Sequence, residues 1–452
     1  MNSSQKGMFI AKNGQNLFFT FILVSSLFLL WGFCNGMIDV MDKHFQEELH
    51  LTLSQSAWVQ FAHYLGYFLM ALPAGWLATK LGYKGGIIAG LLMVGIGGFW
   101  FIPATYIAQF WAFLLGVCFI AAGLTFLETI ANPYTTVLGH PHYAATRINL
   151  AQSCNGIGWI FGPIAGGMFF YSTDAAGNST GSQTLWIPYA GVAVVVVVLA
   201  GIFYFANVPD IKTEDDYRLD DSGPGTSRSI WSHPHFVLAV AAQFFYVAAQ
   251  AGIFSFFINY MTSQVPAIPA SWNTGLLRGW FEANQAGIFH ITNKGASNLA
   301  SLGFLFFLAG RFTGAGILRK IEAHKVLGLY GLLNVIVTLL VFCKLGWLSV
   351  ACVFLSYFFM SIMFPTIFAL GIFGLGVRAK QASAYIVMAI MGGALLPKLM
   401  GHIADVYDMS RGFIVPMACF AFVAFYGFNW PRFSGFKGMV SIKPPSSVRL
   451  PP

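Results

Sequence analysis

The chain has 452 residues, 57% hydrophobic and only 9% charged, where a soluble domain carries about 25% charge. So few charges cannot coat a water-exposed surface, and disorder needs low hydrophobicity, so composition excludes both a soluble globular protein and a disordered chain. The formal net charge of +8 sits in short gaps between apolar runs, where it reports membrane topology rather than nucleic-acid binding.

A membrane-crossing helix needs roughly 20 mostly apolar residues. Twelve such runs are predicted, at 17–40, 55–78, 86–104, 106–137, 148–171, 185–206, 235–262, 296–318, 325–343, 346–374, 381–405 and 412–430. They must be helices, because lipid cannot satisfy unpaired backbone groups. The first run is longer than a signal-peptide core and is expected to remain as the first span. It carries Asn35 and Asp39, spaced i,i+4 on one helix face. Asp42, Glu47 and Glu48 follow soon after, so Asp39 is either a membrane acid or lies in the outer headgroup region. The second run holds His63, which is either a packing histidine or a proton relay, with Tyr64 and Tyr67.

The fourth run carries Glu128 and Asn132, again i,i+4. The fifth carries Asn149, Gln152 and Asn155 in successive i+3 steps, and the seventh carries Gln243, Tyr246 and Gln250. A lone amide in a span is usually glue between helices, whereas an intramembrane acid marks a functional site. Four helices with one polar stripe each are most simply packed with the stripes facing a shared wet cavity. Amides, a phenol and carboxyls supply both donors and acceptors. The central parts of the first six spans hold no Lys or Arg, which points to a neutral, hydroxyl-rich solute rather than an anion. Trp31, Tyr64, Tyr67 and Trp159 are candidates to stack on the apolar face of a sugar. Exclusion from water disfavours the charged form of a carboxyl, so such an acid can carry a proton.

The remaining features carry less. Gly177-Asn178-Ser179-Thr180-Gly181 matches G-x-S-x-G but has no strand before it, which argues against a nucleophile elbow. Asn178-Ser179-Thr180 is also a glycosylation sequon, meaningful only in a secretory pathway. Arg311 is expected to bond helix-end carbonyls and Lys398 to reach outward to the headgroups. The six cysteines have no C-x-x-C spacing and read as reduced apolar residues, with neither a disulfide nor a metal site expected. There is no phosphate-binding loop to support ATP-driven transport, and no set of groups that would make a catalytic site.

Orientation follows from the loops. Lys6, Lys12, Lys80, Lys84, Arg147, Arg319, Lys320, Lys325, Arg378, Lys380 and the basic residues of 207–234 and the tail all fall on one side. Only Lys43, Arg278, Lys294, Lys344 and Arg411 fall on the other. Both termini are therefore expected in the cytoplasm. The long polar stretch mid-chain has the composition of a linker. It divides the chain into a six-helix half at 1–206, a cytoplasmic linker at 207–234, a second six-helix half at 235–430 and a cytoplasmic tail at 431–452. Gly75, Leu77 and Lys84 recur as Gly316, Leu318 and Lys325. Pro133 and Gly139 recur as Pro365 and Gly371, and Pro163 and Gly166 as Pro397 and Gly401. Three matches in one order suggest two homologous halves, the layout of transporters that bind substrate between parallel repeats.

Gly75-Trp76-Leu77-Ala78-Thr79-Lys80-Leu81-Gly82-Tyr83-Lys84 resembles the signature between spans 2 and 3 of the major facilitator superfamily. Phe28-Leu29-Leu30-Trp31-Gly32, Leu127-Glu128-Thr129-Ile130-Ala131-Asn132-Pro133 and Arg147-Ile148-Asn149-Leu150-Ala151-Gln152 resemble segments of its fucose:proton symporter family, which includes glucose/galactose transporters. So do Tyr246-Val247-Ala248-Ala249-Gln250, Gly310-Arg311-Phe312-Thr313-Gly314 and Phe364-Pro365-Thr366-Ile367-Phe368. The resemblance implies that Asp39 is the coupling proton carrier and that Glu128 is a sugar-contacting, protonatable group.

The expectation is an all-α integral membrane protein of twelve transmembrane helices in two pseudo-symmetric six-helix halves. It would be a proton-coupled symporter of a neutral monosaccharide, L-fucose or of glucose/galactose type, in a bacterial inner membrane. Asp39 and Glu128 would couple protons. Asn35, Glu128, Asn132, Asn149, Gln152, Asn155, Tyr246 and Gln250 would bind sugar. The chain is expected to act as a monomer in lipid, with no cofactor and no nucleic-acid partner. The alternatives are sodium coupling and, from another class, a sugar sensor on a transporter fold.

Overall fold

The protein is described here from a computed structural model, which describes residues 8–10, 14–139, 144–171, 184–209, 230–274, 277, 279–318, 321–373, 375 and 379–435. A few side chains inside helices, that of Asn149 among them, lie outside the described residues. So do most of the expected linker, the sequon and most of the tail.

Most of the described chain is helical. In order come α1 (Phe18–Glu48), α2 (Leu53–Ser56), α3 (Trp58–Ile107), α4 (Phe110–Val137), α5 (Ala144–Phe169) and α6 (Trp186–Phe205). Then follow α7 (Pro234–Ser255), α8 (Phe257–Ser263), α9 (Asn293–Leu318), α10 (Ala323–Phe342), α11 (Trp347–Met360) and α12 (Met363–Ile372). Last are α13 (Ala379–Met388), α14 (Gly392–Val406), α15 (Met409–Gly412) and α16 (Ile414–Ser434). Among the described residues ten segments are long and apolar enough to cross a membrane. The arm of α3 before Gly82, together with α5, brings the helical spans to the expected twelve.

The expected breaks between runs differ in detail. Spans 2 and 3 form one assigned helix interrupted only at Gly82, whose φ of 70° is a conformation that glycine adopts without penalty. The basic turn at Lys80–Lys84 is thus compressed into a single residue. The seventh span is broken at Phe256, the tenth at 361–362, and the eleventh passes through a 3-10 turn at Ala389–Met391. Between α8 and α9 the chain forms a small antiparallel hairpin, β1 (Phe281–Ala283) paired with β2 (Phe289–Ile291), which hydropathy alone did not signal.

α1 lies against α5, and α3 against α4 and α6; α10 lies against α16, and α7 against α14 and α16. The two groups meet where α5 packs on α9 and where α14 packs on α2 and α3. Large apolar side chains such as Leu72, Trp111, Val198, Phe312 and Phe428 remain exposed on the outside of the bundle. In lipid that surface is solvated rather than costly.

Candidate functional site

The site begins with a close helix pair. Gly32 and Gly36 on α1 are four residues apart, as are Gly158 and Gly162 on α5. A Cβ on Gly32 would lie 2.0 Å from the Asn155 carbonyl oxygen, one on Gly158 would lie 2.2 Å from that of Leu29, and one on Gly162 would lie 2.7 Å from Gly36 Cα. Small residues at this spacing let two backbones touch, the usual device for packing helices in lipid. The contact places the stripe of α5 beside that of α1. Asn155 is buried and its side chain donates to the Phe28 carbonyl at 3.3 Å.

From there a polar chain crosses the first half. Trp31 Nε1 donates to the Tyr67 hydroxyl at 2.7 Å. That hydroxyl in turn faces the Glu128 carboxyl and Asn35. One turn on, Asn132 Nδ2 donates to the Glu128 carbonyl at 3.0 Å, and Asn132 Oδ1 accepts from Gln152 Nε2 at 3.0 Å. Glu128, Asn132 and Gln152 are half-buried. Tyr64 stands among Asp39, Glu128 and Tyr246, linking the chain to the second half. Asp39, Asn35, Glu128, Asn132, Gln152 and Asn155 are thereby gathered from α1, α4 and α5. The backbone of Asn149 lies in α5, but its side chain is outside the described residues.

The stripe of α7 is used differently. Tyr246 is buried and donates to the Met360 carbonyl at 3.1 Å, tying α7 to the end of α11. Gln250 is half-buried. Gln243 is fully buried with both amide atoms unpartnered. Trp159 packs across the halves, its ring centroid 4.8 Å from Phe304 and 5.7 Å from Phe254. His63 is buried between Tyr64 and Tyr67. Arg311 lies over the Phe307 ring beside Tyr246, rather than on helix-end carbonyls. Lys398 is exposed, and its ammonium sits 4.0 Å over the Trp58 ring of the other half.

Sequence reasoning missed two residues. α1 continues to Glu48, so Asp42 is fully buried rather than at the headgroups. Gln60 on α3, which had drawn no attention, donates to both Asp39 and Asp42. The available signal was the i,i+3 spacing of the two acids, which places them on one face.

The face of the bundle opposite the termini is shut by polar contacts between the halves. Asp405 accepts from the Leu53 and Ser54 backbone N–H groups at 2.8 and 2.9 Å, binding α14 to the start of α2. Asn293 donates to both Glu47 oxygens, at 2.5 and 2.6 Å. Gln46 pairs with Asn259, and Ser297 donates to the Pro163 carbonyl at 2.6 Å.

Two halves of membrane helices that meet around one polar cluster and are joined at one face by contacts between them have the layout of a secondary transporter of the alternating-access kind. The Major Facilitator Superfamily profile matches residues 17–284. The chain is 33% identical over 415 residues to the glucose/galactose transporter of Brucella abortus (strain 9-941), covering 91% of this chain and 94% of that protein. It is 31% identical over 421 residues to the L-fucose-proton symporter of Escherichia coli (strain K12), covering 89% and 91%. The crystal structure of the E. coli fucose:proton symporter superposes with a TM-score of 0.64 at 31% identity, covering 91% of this chain and 98% of that one. The chain belongs to the major facilitator superfamily.

Proposed function

We propose that the protein is a proton-coupled symporter of a neutral monosaccharide. The observation that carries this reading is the polar chain from Trp31 through Tyr67 and Glu128 to Asn132 and Gln152, set inside an apolar bundle. Its mixture of donors and acceptors suits hydroxyl groups, which both give and take hydrogen bonds. The names of the relatives support the sugar and, for the fucose carriers, the proton. Asp39 carries the coupling proton. Glu128 contacts the sugar and is itself protonatable, with Asn35, Asn132, Asn149, Gln152 and Asn155 around it. Tyr246 and Gln250 form the wall contributed by the second half. The protein acts as a monomer in a bacterial inner membrane with both termini in the cytoplasm. Its coupling ion is the proton, and it needs no other cofactor.

The cycle follows from differential affinity. Proton and sugar bind while the face opposite the termini is open. That face then closes, as in the arrangement described here, and both leave on the other side. Proteoliposome uptake of fucose, galactose, glucose and mannose, with and without a pH gradient, tests the reading. Accumulation of one sugar driven by the gradient supports it. Uptake that needs sodium and ignores pH would replace the proton, and binding without transport would make the protein a sensor.

A further inference from the structure

Three residues beyond Asp39, α1 carries a second acid, Asp42, that is 0% exposed. One side chain serves both: Gln60 Nε2 donates to Asp39 Oδ1 at 2.9 Å and to Asp42 Oδ2 at 3.3 Å. The other oxygen of each acid is buried without a hydrogen-bond partner. Two buried hydroxyls from the second half face the pair. Ser255 of α7 stands beside Asp42, and Tyr357 of α11 faces Asp39.

The titratable groups that face the pair from other segments are phenols, and on α1 itself the buried His44 ring lies 6.2 Å from that of Tyr171. Tyr64 of α3 faces Asp39. Tyr189 of α6 and Tyr171, just after α5, face Asp42, and their hydroxyls are directed to Met41 Sδ and the Val40 carbonyl. On α1 itself Lys43 pairs with Glu47 at 3.3 Å. No cation is among the groups named as facing the two carboxyls. Two like charges in a site closed to water, sharing one N–H donor group, cannot both stay ionised.

We propose that Asp39 and Asp42 bind one proton as a unit, and that this shared proton is what allows α7 and α11 to close over α1. The proposal rests on the symport reading and deepens it. A metal ion fits poorly, because Gln60 turns its N–H group, not its oxygen, toward both acids. The proton passes from water to a carboxylate lone pair while the face opposite the termini is open. Ser255 and Tyr357 then seal a pair that carries one negative charge instead of two. When the other face opens, the proton returns to water and the lone pair is restored.

The test is the pH midpoint of gradient-driven uptake in proteoliposomes, using whichever of L-fucose, galactose and glucose the wild type accumulates. In Asp42→Asn the remaining acid loses its like-charged neighbour, and the midpoint moves toward acid by roughly one pH unit or more. In Gln60→Leu the anion loses its N–H donor, and the midpoint moves the opposite way. Should Asp42→Asn fail to fold, Gln60→Leu carries the test alone. Midpoints equal to wild type in the folded variants overturn the shared proton while symport stands. A wild type without proton-driven uptake overturns both.

Discussion

In the proposed cycle Glu128 contacts the sugar and Asp39 carries the proton, and their surroundings differ. Glu128 is half-buried at the head of an amide chain, with the Tyr67 hydroxyl before it. If Glu128 contacts the sugar as proposed, Glu128→Gln removes one charged hydrogen-bonding group from it. Such a bond contributes about 1.5–3 kcal/mol, on the order of ten- to a hundredfold in affinity. Calorimetry on purified protein checks this, and unchanged affinity would remove Glu128 from the sugar's contacts. Asp39 is more deeply enclosed and bound to Gln60. Asp39→Asn is expected to abolish accumulation against a gradient while sugar exchange between equal pools persists; normal accumulation would end its role as carrier. Both acids were legible in the sequence, because an acid and an amide one helical turn apart in an apolar run have little structural reason to exist. Asp42 was not, since the acids that follow it look like a helix leaving the membrane, and the burial of α1 as far as Gln46 is a tertiary fact. Gln60 was invisible because a single amide in a span is ordinary.

At the scale of elements, the site depends on how closely α1 and α5 approach. Gly32, Gly36, Gly158 and Gly162 have no room for a side chain. Gly158→Leu is expected to force the helices apart at a cost of about 1–3 kcal/mol or more. It should lower the melting temperature of the detergent-purified protein and weaken sugar binding together. Gly191 on α6 has nothing within 4 Å of its would-be Cβ, so Gly191→Ala should melt like wild type and serves as the control. Equal melting of the two variants would show that the glycine contact does not hold α1 on α5. The number of spans was readable because bilayer thickness imposes a length on every apolar run. The interruptions at Phe256 and at 361–362 were not, since a helix broken within an apolar run keeps the same hydropathy. The hairpin of β1 and β2 lies in a polar loop where membrane length gives no guidance.

At the scale of the whole molecule, the two halves are held together on one face by a few polar bonds. Asp405 is the most economical of these, since one carboxylate satisfies two backbone N–H groups at the start of α2. Asp405→Ala should shift the balance toward opening of that face by about tenfold, or about 1.4 kcal/mol. Spin labels at Gln55 and Tyr407 would report it as a second, longer distance; a distribution identical to wild type would show that Asp405 does not hold the closure. The twofold layout was visible in the sequence through repeated Gly, Pro and Lys positions. Which face is shut was not, because alternating access gives one sequence several arrangements of nearly equal free energy. The central claim is that proton and sugar share one cavity and cross together. It is tested most directly by placing the purified protein in sodium-free liposomes, imposing an inside-alkaline gradient and following labelled sugar and internal pH at once. Coupled transport raises sugar inside above its external concentration while the lumen acidifies, both abolished by Asp39→Asn. Sugar that only equilibrates, with internal pH unaffected by its presence, would contradict it.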